Sequence, residues 1–162
     1  MYTICFVCTG NTCRSPMAEA LLAARIRSAG LSGAVAVRSA GVAAWPGDLA
    51  SSGAVREMQR RGLDISAHRS RKLTQYEIDS TDLLLALEPG HLSKVQGFAA
   101  TEGKAYLLSE FAGGAGGVPD PYGGDEQDYA DCANKIEQYI AAVWEKIRRV
   151  AGAGEDKTER EN

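Results

Sequence analysis

Cys8 and Arg14 stand six positions apart in Cys8-Thr9-Gly10-Asn11-Thr12-Cys13-Arg14-Ser15, and a hydroxyl residue follows the arginine directly. In a chain of this composition chance supplies about 0.3 Cys-x5-Arg pairs, and about 0.03 once Ser or Thr must follow. Context sharpens the signal, because an apolar run precedes Cys8 and Ser15-Pro16 reads as a helix start, with Ser15 as N-cap and Pro16 in the first turn. A loop at such a junction can wrap an anion, with successive backbone N–H groups turned inward and the positive end of the helix behind them. Gly10 permits close backbone approach, and Asn11 tolerates a left-handed conformation and braces the loop with its amide. Arg14 offers a planar fork for two phosphoryl oxygens. The same donors are expected to lower the pKa of Cys8 to give a thiolate, which Ser15 can stabilise by a hydrogen bond. A thiolate beneath a bound phosphate is an in-line nucleophile at phosphorus. A nucleotide-binding loop is excluded, since no Gly-Lys-Ser/Thr occurs in this segment.

Such a cysteine also needs an acid to protonate the leaving group. Pro119-Asp120-Pro121-Tyr122-Gly123-Gly124 supplies one in Asp120, which the following proline biases towards an extended backbone.

The elements that must position these groups follow from the apolar pattern. Strands are expected at Thr3–Val7, Val35–Arg38, Leu83–Leu87 and Ala105–Leu108. Helices are expected from Ser15 to a stop at Gly30, and from Ser51 to Arg61 with a stop at Gly62. A last helix carries Cys132, Ile136, Ile140, Val143, Ile147 and Val150 on one face. Residues 109–125, rich in Gly, read as a long loop. Alternating strands and helices imply an α/β fold, a doubly wound four-stranded parallel sheet with helices on both faces and the anion loop after strand 1. One domain is expected over 1–151, and residues 152–162, polar and without apolar periodicity, are assigned to a flexible tail.

Apolar residues make up 44% of the 162-residue chain and charged residues 24%, a balance that excludes bulk disorder. Eighteen Lys+Arg against 21 Asp+Glu give a formal charge of −3, so no global basic field draws nucleic acid or anionic lipid. A basic stretch (Arg56, Arg60, Arg61, Arg69, Arg71, Lys72) and an acidic one (Asp120, Asp125, Glu126, Asp128, Asp131) read first as solvated faces. The apolar runs are too short to span a membrane and the N-terminus lacks a signal-peptide pattern, so a cytoplasmic location is expected. Four cysteines do not make a disulfide scaffold. Zinc would need paired ligands that Cys132, His68 and His91 are too scattered to give, and Cys5-x-x-Cys8 falls within a strand rather than at a helix start.

Val7 to Glu19, through Cys8-Thr9-Gly10-Asn11-Thr12-Cys13-Arg14-Ser15-Pro16-Met17-Ala18, resembles the signature of the low-molecular-weight protein tyrosine phosphatase family, and Asp120-Pro121-Tyr122 resembles that family's general-acid loop. The similarity extends over roughly residues 2–150, including Arg38-Ser39-Ala40-Gly41, Trp45 and Ala67-His68. It implies Cys8 as nucleophile, Arg14 as phosphate ligand and Asp120 as acid then base, with residues Thr9 to Ser15 holding the phosphate. It further implies a hydrogen-bonded frame of Asn11, Ser15, Ser39 and His68, pocket walls at Trp45 and Tyr122, and Cys13 as a reversible disulfide partner of Cys8. Implied partners are phosphorylated proteins, with inorganic phosphate as product and inhibitor. No cofactor or metal is implied, and a monomer is expected.

Thr12 stands where the family's tyrosine phosphatases have a bulky aliphatic residue, and Gly123 where they often have a second tyrosine. Both features resemble the bacterial protein-arginine phosphatase branch. A hydroxyl at the mouth suits a planar, polar guanidinium, and a site that hydrogen-bonds its substrate rejects an apolar analogue well. Asp120 can pair with that guanidinium and protonate its nitrogen, with Trp45 and Tyr122 as walls offering a cation–π contact. The alternatives are a tyrosine phosphatase with the same machinery, an arsenate reductase, or a phosphate-binding module. A reductase needs two further cysteines, and residues 14–131 contain none; a mere binding module would be expected to lose Cys8 or Asp120.

Overall fold

Strand β1, Tyr2–Cys8, buries its side chains on both faces: Ile4, Phe6 and Cys8 enter one apolar cluster, Cys5 and Val7 the other. A strand apolar on both sides belongs in the middle of a parallel sheet covered by helices. The computed structural model describes residues 1–161, with side chains described through Gly152. In it β1 pairs in parallel with β2 (Val35–Gly41) on one side and with β3 (Leu83–Ala86) on the other, and β4 (Ala105–Leu107) adds to β3. The order is β2-β1-β3-β4. The chain moves to one side of β1 and then returns to the other, so the carboxyl ends of β1 and β3 form the crevice where open α/β sheets take their ligands.

One face is covered by α1 (Arg14–Ser28), α2 (Ser52–Arg60) and α6 (Glu126–Glu161), through Met17, Leu21, Leu22, Ala54, Met58 and the buried stripe of α6. The other is covered by α3 (Gln75–Asp79) and α4 (Pro89–Gln96), through Ile78 and Val95. Burying an aliphatic side chain in this way stabilises the fold by roughly 1.5–3 kcal/mol.

Several boundaries differ from the sequence expectation. Ser15 is not the N-cap of α1, which begins at Arg14 with Cys13 before it, because the Ser15 hydroxyl faces the loop interior. Ser51 does cap α2, its Oγ accepting the Ala54 N–H at 3.3 Å. β2 runs on to Gly41, in register with Cys8. Two helices were not expected, α3, capped by the Thr74 hydroxyl, and α4, with Pro89 in its first turn. The expected loop at 109–125 overlaps a short helix, α5 (Leu108–Phe111). The apolar stripe of α6 ends on Ala151, 2% exposed, and not on Val150, 39% exposed, the buried row Val143, Ile147 and Ala151 running at four-residue spacing. Helical backbone continues past the expected boundary at 151 to Glu161, through a segment without proline that is rich in straight-chain residues. The end of the assigned tail, Asn162, lies outside the described residues. Among the described residues no helix is long and apolar enough to cross a membrane.

Candidate active site

The segment from Thr9 to Cys13 turns from the end of β1 into the start of α1 around the Cys8 sulfur. Cys8 Sγ lies 2.8 Å from Ser15 Oγ, and the Asn11 amide donates to the same hydroxyl at 2.8 Å. Once the thiol is ionised, the Ser15 hydroxyl is the donor of this pair, since a thiolate can only accept. Asn11 has φ 56°, the left-handed backbone that Asn accepts more readily than most residues, and it is fully buried. Its Oδ1 accepts the Arg71 N–H at 2.9 Å, and its carbonyl accepts from His68 Nε2 at 2.7 Å. Further backbone bonds tie the loop down: Val42 N–H to Cys8 C=O at 2.9 Å, Ala43 N–H to Thr9 C=O at 3.0 Å and Ser51 N–H to Thr12 C=O at 2.9 Å. The N–H groups of Asn11 and Ser15 favour the sulfur anion, and those of Gly10, Thr12, Cys13 and Arg14 meet no backbone acceptor among the described residues. Free loop amides at the positive end of a 15-residue helix are suited to an oxyanion.

Burial is the largest influence on the Cys8 thiol and raises its pKa above the ordinary value. The Ser15 hydroxyl, the Ser15 and Asn11 N–H groups and the Arg14 charge oppose it without prevailing. This corrects the expectation of a lowered thiol. The physical reason is burial, with Cys8 3% exposed, and Arg14 gives limited relief because its Nη1 is engaged by the Glu88 carboxylate and, at 2.9 Å, by the Val118 carbonyl. Its charge is answered by carboxylates instead of falling wholly on sulfur. Cys5 and Cys132 are buried thiols pushed up to about 12, outside this loop.

Cys8, Thr9, Gly10, Thr12, Cys13, Arg14, Asp120 and Tyr122 line one cavity of about 220 Å³. Asp120, separated from Cys8 by most of the chain, brings Oδ2 to 3.7 Å from Arg14 Nη2, while its Oδ1 accepts the Tyr122 N–H at 3.1 Å. Tyr122 is 75% exposed at the mouth. Cys13 lines the same cavity, its Sγ 3.2 Å from Ser51 Oγ and 3.6 Å from the Tyr129 hydroxyl. Two expected members are not brought in. Trp45 is 77% exposed and does not line the cavity, and Ser39, buried on β2, makes no hydrogen bond to the loop. Ser39 faces the side of the sheet under α1, beside the Glu19 carboxyl, because its register partner is Phe6 and not a loop residue.

The charge runs are also absorbed locally. Arg60 and Arg61 both bond Glu57, and Arg71 bonds Glu77. Asp125 and Asp128 accept each other's N–H at 2.9 Å and so cap the start of α6.

Two residues at this site were missed from the sequence. Glu88 pairs with Arg14, and His91 Nε2 lies 2.8 Å from Thr9 Oγ1. Glu88 is the N-cap of α4 and His91 stands in its first turn, shortly after β3. The available signal was Pro89 at a helix start following an apolar strand, where ligand sites of open α/β sheets lie.

Residues 3–152 match the model of the low molecular weight phosphotyrosine protein phosphatase family. The chain belongs to that family. Among its curated relatives, a low molecular weight protein-tyrosine-phosphatase of Streptomyces coelicolor is 39% identical over 160 residues, covering 90% of this chain and 96% of that one. A protein-arginine-phosphatase of Geobacillus stearothermophilus is 40% identical over 149 residues, covering 91% and 97%. A solved structure of the YwlE arginine phosphatase, a Cys-to-Ser mutant with its active-site serine phosphorylated, superposes with a TM-score of 0.85 at 36% identity, covering 90% of this chain and 95% of that one. The chain is therefore a phosphatase of the low molecular weight protein tyrosine or arginine type.

Proposed function

We propose that this phosphatase hydrolyses phosphoarginine in protein substrates through a phosphocysteine on Cys8. The observation that carries the reading is the single cavity in which Cys8, Arg14, Asp120 and Thr12 converge. Cys8 Sγ attacks phosphorus as the thiolate, after its proton has passed to solvent, with the Ser15 hydroxyl and the loop N–H groups stabilising the anion. The S–P bond forms as the P–N bond breaks, and Asp120 delivers a proton to the departing guanidine nitrogen. Asp120 then takes a proton from water, which attacks phosphorus, breaks the S–P bond and releases inorganic phosphate. Backbone amides and Arg14 stabilise the three equatorial oxygens in both steps. The phosphorylated active-site serine of the YwlE mutant supports a phosphoryl group carried at this position.

Thr12 and Gly123 support arginine as the phosphoryl donor. Thr12 offers a hydroxyl inside the cavity, where an aliphatic side chain would favour an aryl ring. Gly123 has φ 78°, a conformation in which a second tyrosine would be strained, so the mouth carries one aromatic, Tyr122. Phosphotyrosine is the second reading, favoured by the exposed Tyr122 ring and by the Streptomyces relative. The ratio of kcat/KM for the two phosphoamino acids, measured side by side, separates them. The expected ratio favours phosphoarginine, and Thr12→Ile moves it at least tenfold towards phosphotyrosine. A parent that prefers phosphotyrosine overturns the substrate assignment, and a ratio unmoved by Thr12→Ile removes Thr12 as its cause.

A further inference from the structure

Thr9 and Arg14 sit at opposite ends of the loop around Cys8, and both are held from one place, the N-terminal end of α4. Glu88 answers Arg14, and His91 reaches Thr9. The His91 ring is 5% exposed and fixed at both nitrogens. Nδ1 accepts the Glu88 N–H at 3.1 Å, so the ring proton resides on Nε2 and is donated to Thr9 Oγ1 at 2.8 Å. A second proton on the ring would set an N–H on Nδ1 against the Glu88 N–H, two donors face to face, and would remove the anchor that aims the ring. The charged groups around it are Arg14 of α1, the N-cap Glu88 before its own helix and Asp120 of the acid loop. Burial, and after it Arg14, disfavour the imidazolium, whereas Glu88 and Asp120 favour it.

We propose that His91 is a positioning residue for the phosphoryl-binding loop, which in its neutral, Nε2-protonated form holds Thr9 and with it the Gly10 and Asn11 amides in place, and which lets go when the ring is protonated. The inference rests on the reading of the Cys8 loop as the phosphoryl site, but not on the choice of phosphoarginine.

The test uses p-nitrophenyl phosphate as substrate and inorganic phosphate as ligand, between about pH 5 and 8. His91→Ala and Thr9→Val are each expected to lower kcat/KM, and to weaken phosphate inhibition, about five- to tenfold at neutral pH. The double variant is expected to be no worse than either single one, because both remove the same contact. His91→Gln, which keeps an N–H donor at the Nε2 position but cannot titrate, is expected to restore most of the loss and to flatten the acid side of the profile. Thr9 is exposed, so Thr9→Val reports even where His91→Ala fails to fold. Phosphate affinity of both variants in a Cys8→Ser background reports the loop without turnover. A phosphate affinity within twofold of the parent in Thr9→Val, single losses that multiply in the double variant, or a His91→Gln profile as steep as the parent's would each overturn the coupling. A parent that binds phosphate normally but turns nothing over would instead defeat the phosphocysteine reading.

Discussion

Asp120 has one carboxylate oxygen facing Arg14 and the other held by the Tyr122 N–H, a hold that keeps the side chain over the cavity without burying it. A carboxyl so placed can give a proton to a leaving group and later take one from water. Its value depends on the leaving group. Asp120→Asn is therefore expected to lower kcat/KM, which reports formation of the phosphocysteine and not its hydrolysis, by about 10²–10⁴ on phosphoarginine, whose nitrogen must be protonated, and by far less on p-nitrophenyl phosphate, whose phenolate leaves unaided. Equal losses on the two substrates would count against Asp120 as the acid.

At the scale of elements, the loop is braced by the end of β2. A Cβ on Gly41 would stand 2.5 Å from the Thr9 carbonyl oxygen, 2.8 Å from Ala44 Cβ and 2.9 Å from the Asn11 nitrogen, all too close to accommodate. By contrast a Cβ on Gly10, the glycine inside the loop, would meet only Thr12 Oγ1 at 3.7 Å. Gly41→Ala is expected to push the loop off its seat, with a loss of more than tenfold in kcat/KM and about 1–3 kcal/mol of stability in urea unfolding. Gly10→Ala is expected to be milder in both measurements, and the reverse order would mislocate the brace. The strands and α6 were legible from sequence because long apolar runs and a sustained 3–4 spacing leave few alternatives. α3 and α4 were not, having five and eight residues and too few turns to show a period. Cys8, Arg14 and Asp120 could be picked out by residue chemistry. The contact of His91 with Thr9 bridges 82 positions and exists only through the β1–β3 pairing. Ser39 and Trp45 were drawn in by motif alone, and neither strand register nor exposure supports them in those places.

At the scale of the whole molecule, burial sets opposing dependences of stability on pH. Glu19, on α1, is raised from 4.5 to about 7 by burial, against the pull of Arg71 and Ser39. A raised folded value means that the folded state keeps the proton longer. The stabilisation is thus full below 4.5 and is lost as pH rises through about 7. Glu19→Gln, fixed in the neutral form, is expected to be more stable than the parent above pH 7 and to match it in acid, as read by urea midpoints; parallel curves would show that Glu19 is free of this cost. His68 and His91 are lowered, chiefly by burial, and work the other way, with stability present above their ordinary value of 6.5 and lost as pH falls through their folded values. All of this scaffolding serves one sulfur, and the most direct test is to catch the phosphoryl group on it. Parent enzyme mixed with phosphoarginine, stopped within one turnover in denaturant and digested for mass spectrometry, is expected to carry the phosphoryl adduct on Cys8. Turnover that leaves Cys8 unmodified, or an adduct on Cys13 or any other residue, would contradict the account.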